Sequence, residues 1–188
     1  MRALPELEWG IFNGWIFLVA YAGGLLLALA AFSKDDRARL FADPKVHVRG
    51  IKRVVLHMGQ LVAITFIVMM VFTPITHAAG LVVVGTGVYG LGYGTVLTSL
   101  RYFRRATEDQ PATDGPYRLS RNPQWVGLFL VLLGSAITSG GWLMIVMVLV
   151  VGCIYHLQIL EEEKACSTLY GEAYRRYLRQ VPRYLLWF

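Results

Sequence analysis

The sequence predicts an all-α integral membrane protein with five transmembrane helices and a cytoplasmic amphipathic C-terminal helix. The chain of 188 residues is 56% hydrophobic and only 16% charged. Its apolar residues form long blocks, and nearly all its basic residues lie between those blocks. This composition is too apolar for an ordinary soluble enzyme, and it excludes a disordered chain and a disulfide scaffold.

Each apolar block is predicted to be a membrane helix. A bilayer core about 30 Å thick is crossed by about 20 helical residues. The blocks are residues 9–32, 54–76, 79–100 and 124–160. Ser139-Gly140-Gly141 divides the last block into arms of 124–138 and 142–160, which predicts a helical hairpin. Its first arm is short for a full crossing.

The third block is rich in glycine. Residues 85–90 match the dinucleotide-binding fingerprint in form, but they lie inside an apolar helix with no preceding strand, so we dismiss that function. The glycines of this segment, with Gly94 four residues after Gly90, instead predict close helix–helix packing of the small-xxx-small type.

The basic residues predict the orientation. All but Arg2 of the 18 Lys and Arg residues fall in segments 33–53 and 101–123 and in the tail from 161. Five crossings put these segments on one side, and the positive-inside rule makes that side cytoplasmic, with the N-terminus outside. We therefore expect an inner- or plasma-membrane protein with its active site on the cytoplasmic face. The net charge of +6 indicates lipid headgroups rather than nucleic acid.

The four histidines include no pair with metal-ligand spacing near an acidic or cysteine partner, so no metal site is predicted. His57 and His156 fall inside predicted membrane helices. There an ionisable group is either functional or hydrogen-bonded between helices, and both interpretations stay open. His156 is the stronger candidate because it precedes the run Glu161–Glu163.

A polar motif precedes the hairpin and reads TDGPYRLSRNPQWVG, residues 113–127. Pro123 suits the first turn of a helix, and Asn122 falls at or near the N-cap, where its side chain could cap backbone amides. Such a helix start favours an anion, and Arg118 and Arg121 could bind a carboxylate. An ordinary capped membrane helix with interfacial arginines explains the same residues.

The tail, residues 161–188, predicts an amphipathic helix on the membrane surface. Its apolar residues recur at helical spacing and are Cys166, Leu169, Tyr170, Ala173, Tyr177, Leu178 and Val181. Residues 184–188 predict an interfacial anchor. Carboxylates are disfavoured at a helix C-terminus, so Glu161–Glu163 imply a helix that continues through them, a cationic partner or a solvated turn.

Together the two motifs resemble the isoprenylcysteine carboxyl methyltransferase and phospholipid methyltransferase superfamily. The residues that match are Gly115-Pro116-Tyr117-Arg118, Arg121-Asn122-Pro123-Gln124-Trp125-Val126-Gly127, Glu162-Glu163, Tyr170-Gly171, Tyr174, Tyr177 and Val181-Pro182-Arg183. Asn122 stands where the isoprenylcysteine enzymes usually have His, and Trp125 where they have Tyr. The Asn-Pro pair is similar to phosphatidylethanolamine N-methyltransferases, and since Asn cannot be a general base, Asn122 should bind or cap.

The resemblance implies an S-adenosylmethionine-dependent methyltransferase with a cofactor pocket in residues 101–188, behind a three-helix membrane region in residues 1–100. The implied cofactor-binding residues are Gly115, Pro116, Tyr117, Arg118, Arg121, Asn122, Pro123, Trp125, Glu162, Glu163, Tyr174 and Arg183. The candidate catalytic residues are Glu162, Arg121 and His156.

The implied substrate is a lipid-like or membrane-partitioning small molecule whose nucleophile is an amine, a thiol or a carboxylate. Two other functions remain open. Sterol reductases, which bind NADPH, have a similar C-terminal architecture but longer chains, and a non-catalytic helical membrane protein would have the same composition. The sequence predicts no oligomeric state.

Overall fold

Every named secondary-structure element is helical in the part of the chain that the computed structural model describes, which is residues 2–40, 50–107 and 109–185 without the side chain of Arg39. The helices are α1 (Trp15–Ala30), α2 (Lys34–Leu40), α3 (Ile51–Phe72), α4 (Ala79–Arg105), α5 (Pro123–Ser139) and α6 (Trp142–Gln180), with a 3-10 turn at Gly115–Arg118. The predicted all-α class is confirmed. Lys45, Arg49 and residues 186–188 of the expected anchor lie outside the described residues.

Three helices, α3, α4 and α6, are long and apolar enough to cross a membrane. The other two apolar helices are shorter, since α1 has 16 residues and α5 has 17. At 1.5 Å per residue they span only about 24 and 26 Å, against a bilayer core of about 30 Å. The chain is thus an integral membrane protein by its long helices, but the count of five crossings is not confirmed.

The first helix begins six residues later than predicted. Residues before Trp15 lie beside the end of α3, where the Glu8 N–H donates to the Phe72 carbonyl at 2.8 Å and the Gly14 N–H to the Thr73 carbonyl at 2.9 Å. These bonds satisfy carbonyls that the end of a helix leaves without partners. The end of α3 at Phe72, four residues early, follows from Pro74, because the residue before a proline avoids helical geometry.

The last helix is much longer than predicted. It continues through Glu161–Glu163 to Gln180, and two of these glutamates also have cationic partners, so the first two of the three explanations for the acidic run hold together. Its only non-helical residue among those described is Gly171, whose φ of 56° and ψ of −128° bend the helix. A separate amphipathic helix is not confirmed, and Leu169 of its expected apolar face is 73% exposed.

Glycines bring α4 and α5 into backbone contact, but not in the predicted register. A Cβ atom at Gly92 would lie 2.6 Å from the Gly127 carbonyl oxygen, and one at Gly134 would lie 2.4 Å from the Tyr89 amide nitrogen. Gly85 and Gly127 are equally confined, whereas Gly87, Gly90 and Gly94 face open space. The contact uses pairs seven residues apart on two antiparallel helices.

Charged groups collect at one end of the helices, called here the basic end. There Lys52, at the start of α3, pairs with Glu161 of α6 at 2.8 Å. Arg104, at the end of α4, donates to the Ala31 carbonyl beyond α1 at 2.8 Å. At the opposite end the Arg2 N–H donates to the Gly140 carbonyl in the hairpin turn.

We expect Gly92→Ala and Gly134→Ala to lower the melting temperature of the detergent-solubilised protein, with a destabilisation of about 1–3 kcal/mol, because the added methyl group meets backbone atoms that cannot yield. Gly90→Ala is the matched control, since its methyl group enters open space. Equal losses at positions 90 and 92 would contradict the glycine contact.

Candidate active site

The loop between α4 and α5 is held in place by backbone bonds. The turn at Gly115 requires a φ of +61°, a conformation that favours glycine. The Tyr177 hydroxyl donates to the Tyr117 carbonyl at 2.6 Å, which fastens the turn to α6. The Arg121 N–H donates to the Pro182 carbonyl at 2.9 Å, so the loop also contacts the segment after α6.

Glu163 is the centre of a buried polar network at the basic end. Its side chain is 8% exposed and that of Arg121 is 3% exposed. Arg121 Nε donates to one carboxylate oxygen at 3.0 Å, and Asn122 Nδ2 donates to the same oxygen at 3.1 Å. Arg183 donates to the other oxygen through Nε at 3.1 Å and Nη2 at 2.9 Å. One carboxylate therefore joins α6, the loop before α5 and the tail.

Arg121 also closes the C-terminal end of α6. Its Nη1 donates to the Leu178 carbonyl at 2.8 Å and to the Val181 carbonyl at 2.9 Å. Carbonyls in the last turn of a helix lack helical partners and carry partial negative charge, so a buried guanidinium there is favourable. Through these contacts and those to Glu163, the N–H groups of the Arg121 guanidinium form hydrogen bonds within the protein.

The electrostatics of the network favour an ionised Glu163. Burial raises the pKa of this carboxyl, but the hydrogen bond from Arg183, the charge of Arg121 and the hydrogen bond from Asn122 lower it by more. The pKa of Glu163 is therefore below its ordinary value, and the group is a carboxylate at neutral pH.

Asn122 and Pro123 occupy the expected positions at the start of α5, N-cap and first helical residue. The expected capping bond is absent, however, since the Asn122 side chain makes no hydrogen bond to the α5 backbone. Its amide donates to Glu163 instead. A carboxylate 41 residues further along the chain, rather than the local amides, thus orients this side chain.

A cavity of about 210 Å³ lies beside this network. Its aromatic wall consists of Tyr117, Trp125, Tyr170, Tyr174 and Tyr177, and its acidic groups are Glu162 and Glu163. Arg121, Asn122, Pro123, Gln124 and Cys166 also line it, and Leu40 and Phe103 contribute an apolar side. The cavity therefore combines carboxylates, aromatic faces and an apolar border.

Glu162 lies in the cavity wall with two donors beside it. Trp125 Nε1 donates to one of its oxygens at 3.2 Å, and Gln158 Nε2 donates to the other at 2.9 Å. Sequence analysis missed Gln158, although its position four residues before Glu162 on one helix places the two side chains together. It also missed the apolar border, because Leu40 and Phe103 belong to segments without a motif.

Two further groups in the cavity are uncharged at neutral pH. Burial and the charges of Glu162 and Glu163 raise the pKa of the Cys166 thiol to about 11. Burial, with smaller effects of Cys166 and Glu163, also raises the pKa of the Tyr174 phenol. Both side chains can therefore act as neutral hydrogen-bond donors there.

The structure brings most of the predicted site residues together and leaves five outside the cavity lining. Arg118 forms an exposed pair with Asp114 at 2.7 Å. His156 Nδ1 lies 2.8 Å from the Tyr184 hydroxyl, so this histidine has a hydrogen-bond partner in the tail after α6. Arg183 reaches the site through Glu163, and Gly115 and Pro116 shape the turn.

The fold and the site define an integral membrane protein with an aromatic and acidic cavity at one end of its helices. Residues 68–173 match the family model of phospholipid methyltransferases, over half of the chain. The chain therefore belongs to the phospholipid methyltransferase family, and the resemblance inferred from the two motifs is confirmed. A comparison with curated proteins finds no match to this chain. The family match extends further towards the N-terminus than those motifs, through all of α4.

We expect Glu163→Gln to destabilise the protein by about 3 kcal/mol, because it removes the carboxylate that compensates two partly or fully buried guanidinium groups. Thermal unfolding in detergent measures the loss. Glu172→Gln is the control, since this glutamate pairs with Arg179 on the surface, where ion pairs contribute little.

The same variant should change the response to acid. Since the pKa of Glu163 is lower in the folded than in the unfolded state, its stabilisation is present above about pH 4.3 and is lost as the pH falls towards the folded value. Glu163→Gln should flatten this decline. If the loss of stability at low pH is the same in the variant as in the wild type, other titratable groups cause it.

Proposed function

We propose that the protein is an S-adenosylmethionine-dependent methyltransferase whose cofactor binds in the cavity of about 210 Å³ at the basic end. One observation carries the proposal. Both halves of the superfamily motif, the loop before α5 and the segment Glu162–Tyr177 of α6, line the same cavity although they are far apart in sequence. The region 101–188 would supply the cofactor contacts, and Leu40 would add an apolar contact from the region 1–100.

The chemistry of the cavity lining fits this cofactor. The cofactor carries an ammonium group, a sulfonium group and an aromatic base. Glu162 offers a carboxylate to the ammonium or ribose groups, and Trp125 and Tyr174 offer aromatic faces to the sulfonium or the base. A cation on an aromatic face gains about 0.5–2 kcal/mol. The bound cofactor would supply an electrophilic methyl group.

The residues divide into binding and positioning roles. The polar atoms of Arg121 and Glu163 form hydrogen bonds within the protein. These residues would therefore position the loop and α6 rather than take part in methyl transfer. Alignment and the exclusion of water are the main requirements of a direct displacement. An amine nucleophile must also lose a proton, and an oxygen of Glu162 is a suitable acceptor in the cavity wall.

The substrate would be an amphiphile that reaches the cavity from the bilayer. Leu40 and Phe103 form an apolar border suited to a hydrocarbon chain, whereas other lining residues supply the polar groups. This arrangement suits a substrate with a polar nucleophilic head, consistent with the membership of a phospholipid methyltransferase family.

We expect Glu162→Gln to weaken binding of S-adenosylhomocysteine by about tenfold, because a charge-assisted contact becomes a neutral one. Isothermal calorimetry on the detergent-purified protein measures the affinity. Glu161→Gln is a closely matched control, because Glu161 is the preceding residue but pairs with Lys52 and Lys164 rather than lining the cavity.

NADPH serves as the second ligand in this experiment. Binding of NADPH without S-adenosylhomocysteine would support a reductase and refute the proposal. If neither ligand binds the wild-type protein, the cavity is not a cofactor site.

We further propose that the basic end faces the cytoplasm. In cells, an Arg176→Cys variant should react with a membrane-impermeant maleimide only after permeabilisation, whereas His77→Cys should react in intact cells. Both positions are exposed and lie towards opposite ends of the structure. Cys153 and Cys166 are replaced by alanine in both proteins. The reverse labelling pattern would invert the orientation.

A further inference from the structure

A polar side chain lies on the outside of α3 near the middle of its length. The pairs Lys52–Glu161 and Gly59–Ile154 show that α3 runs antiparallel to α6. Gln60 is about 12 Å along the helix from Lys52 and about 18 Å from Phe72 at the other end. It therefore lies deep in the span that the bilayer surrounds.

Gln60 is exposed at this depth. Its neighbours Leu61 and Ile64 are each 57% exposed, so this face of α3 turns away from the rest of the chain. The Gln60 Oε1 atom lies 3.2 Å from Nδ1 of His57, one turn earlier on the same helix. Within the described ranges the amide N–H groups of Gln60 have no acceptor, which is costly in hydrocarbon.

Other polar side chains on the outer surfaces of the membrane helices solve this problem locally. Thr65, Thr95 and Thr98 each donate their hydroxyl to the carbonyl four residues earlier, at 2.7–2.8 Å. Their polar atoms need no second molecule. The Gln60 amide differs because only its oxygen contacts a partner on its own helix, among the described residues.

We propose that the face of α3 that carries His57 and Gln60 binds a second copy of this chain. Two copies inserted in the same direction are related by a two-fold axis along the membrane normal. A residue on the face nearest that axis therefore meets its own equivalent at the same depth. A carboxamide has both donors and an acceptor, and two of them can bond reciprocally. Self-complementarity favours a second copy over acyl chains, which offer no hydrogen bonds.

The proposed interface is separate from the cavity. No residue of α3 belongs to the cavity lining among the described residues, and α3 packs mainly against α6, with smaller contacts to α1 and α5. Variants at Gln60 should therefore have the same affinity for S-adenosylhomocysteine as the wild type. The dimer test thus stands independently of whether the cavity binds that compound.

The test measures self-association of the full chain in lipid vesicles by energy transfer between donor- and acceptor-labelled copies. We expect Gln60→Leu to weaken the dimer by about tenfold or more, because each dimer loses the contacts of two amides. Thr65→Val is the control and should associate like the wild type, since its hydroxyl is already satisfied. A wild type that stays monomeric, or an equally strong dimer of Gln60→Leu, would overturn the proposal.

Cross-linking locates the interface independently. In a background with Cys153 and Cys166 replaced by alanine, Ile64→Cys, one turn after Gln60 on the same exposed face, should form a disulfide-linked dimer on mild oxidation. Leu91→Cys is the control for random collisions, because Leu91 is 66% exposed near the middle of α4. Equal cross-linking at both positions, or more at position 91, would refute the α3 interface.

Discussion

The basic end of this protein depends on one buried carboxylate. Glu163 binds Arg121, Asn122 and Arg183, and these come from the loop before α5 and from the tail after α6. Desolvating three charged groups is unfavourable, so the network stabilises the fold only when every partner is present. Its effect is geometric: because Arg121 also binds the carbonyls of Leu178 and Val181, the helix end, the loop and the tail have a single relative arrangement.

The three consecutive glutamates have different roles because successive residues on a helix point about 100° apart. Glu161 turns towards Lys52 of α3 and joins two membrane helices. Glu162 turns towards Trp125 and Gln158 in the cavity wall. The third faces the arginines. One helical segment thus supplies a helix–helix contact, a proposed ligand group and a structural core, which explains why α6 remains helical beyond its apolar part.

The sequence predicted the helical class, the hairpin turn and half of the cavity-lining residues, because hydrophobic periodicity, turn residues and a two-part motif are local signals. What it missed depends on distant partners. The capping expectation for Asn122 failed because the bond to Glu163 orients its side chain, and the start of α1 moved because residues before Trp15 bind the end of α3. The glycine register also required both helices: Gly92 is distinguished from Gly90 only by the presence of Gly127 opposite it.

The glycine contact also bears on the position of the cavity. Gly127 lies four residues after Pro123 and packs against the backbone of Gly92, so it sets how closely the start of α5 approaches α4. That approach puts Trp125 of α5 near Glu162 of α6 and Phe103 of α4 on the apolar border of the same cavity. Glu162 lines the cavity and directly follows Glu161, which pairs with Lys52. The cavity therefore lies where the apolar part of α6 ends and its charged part begins. A fixed α4–α5 distance and a fixed α6 end together hold the cavity lining in one arrangement, which suits the proposed methyl transfer to an amphiphile.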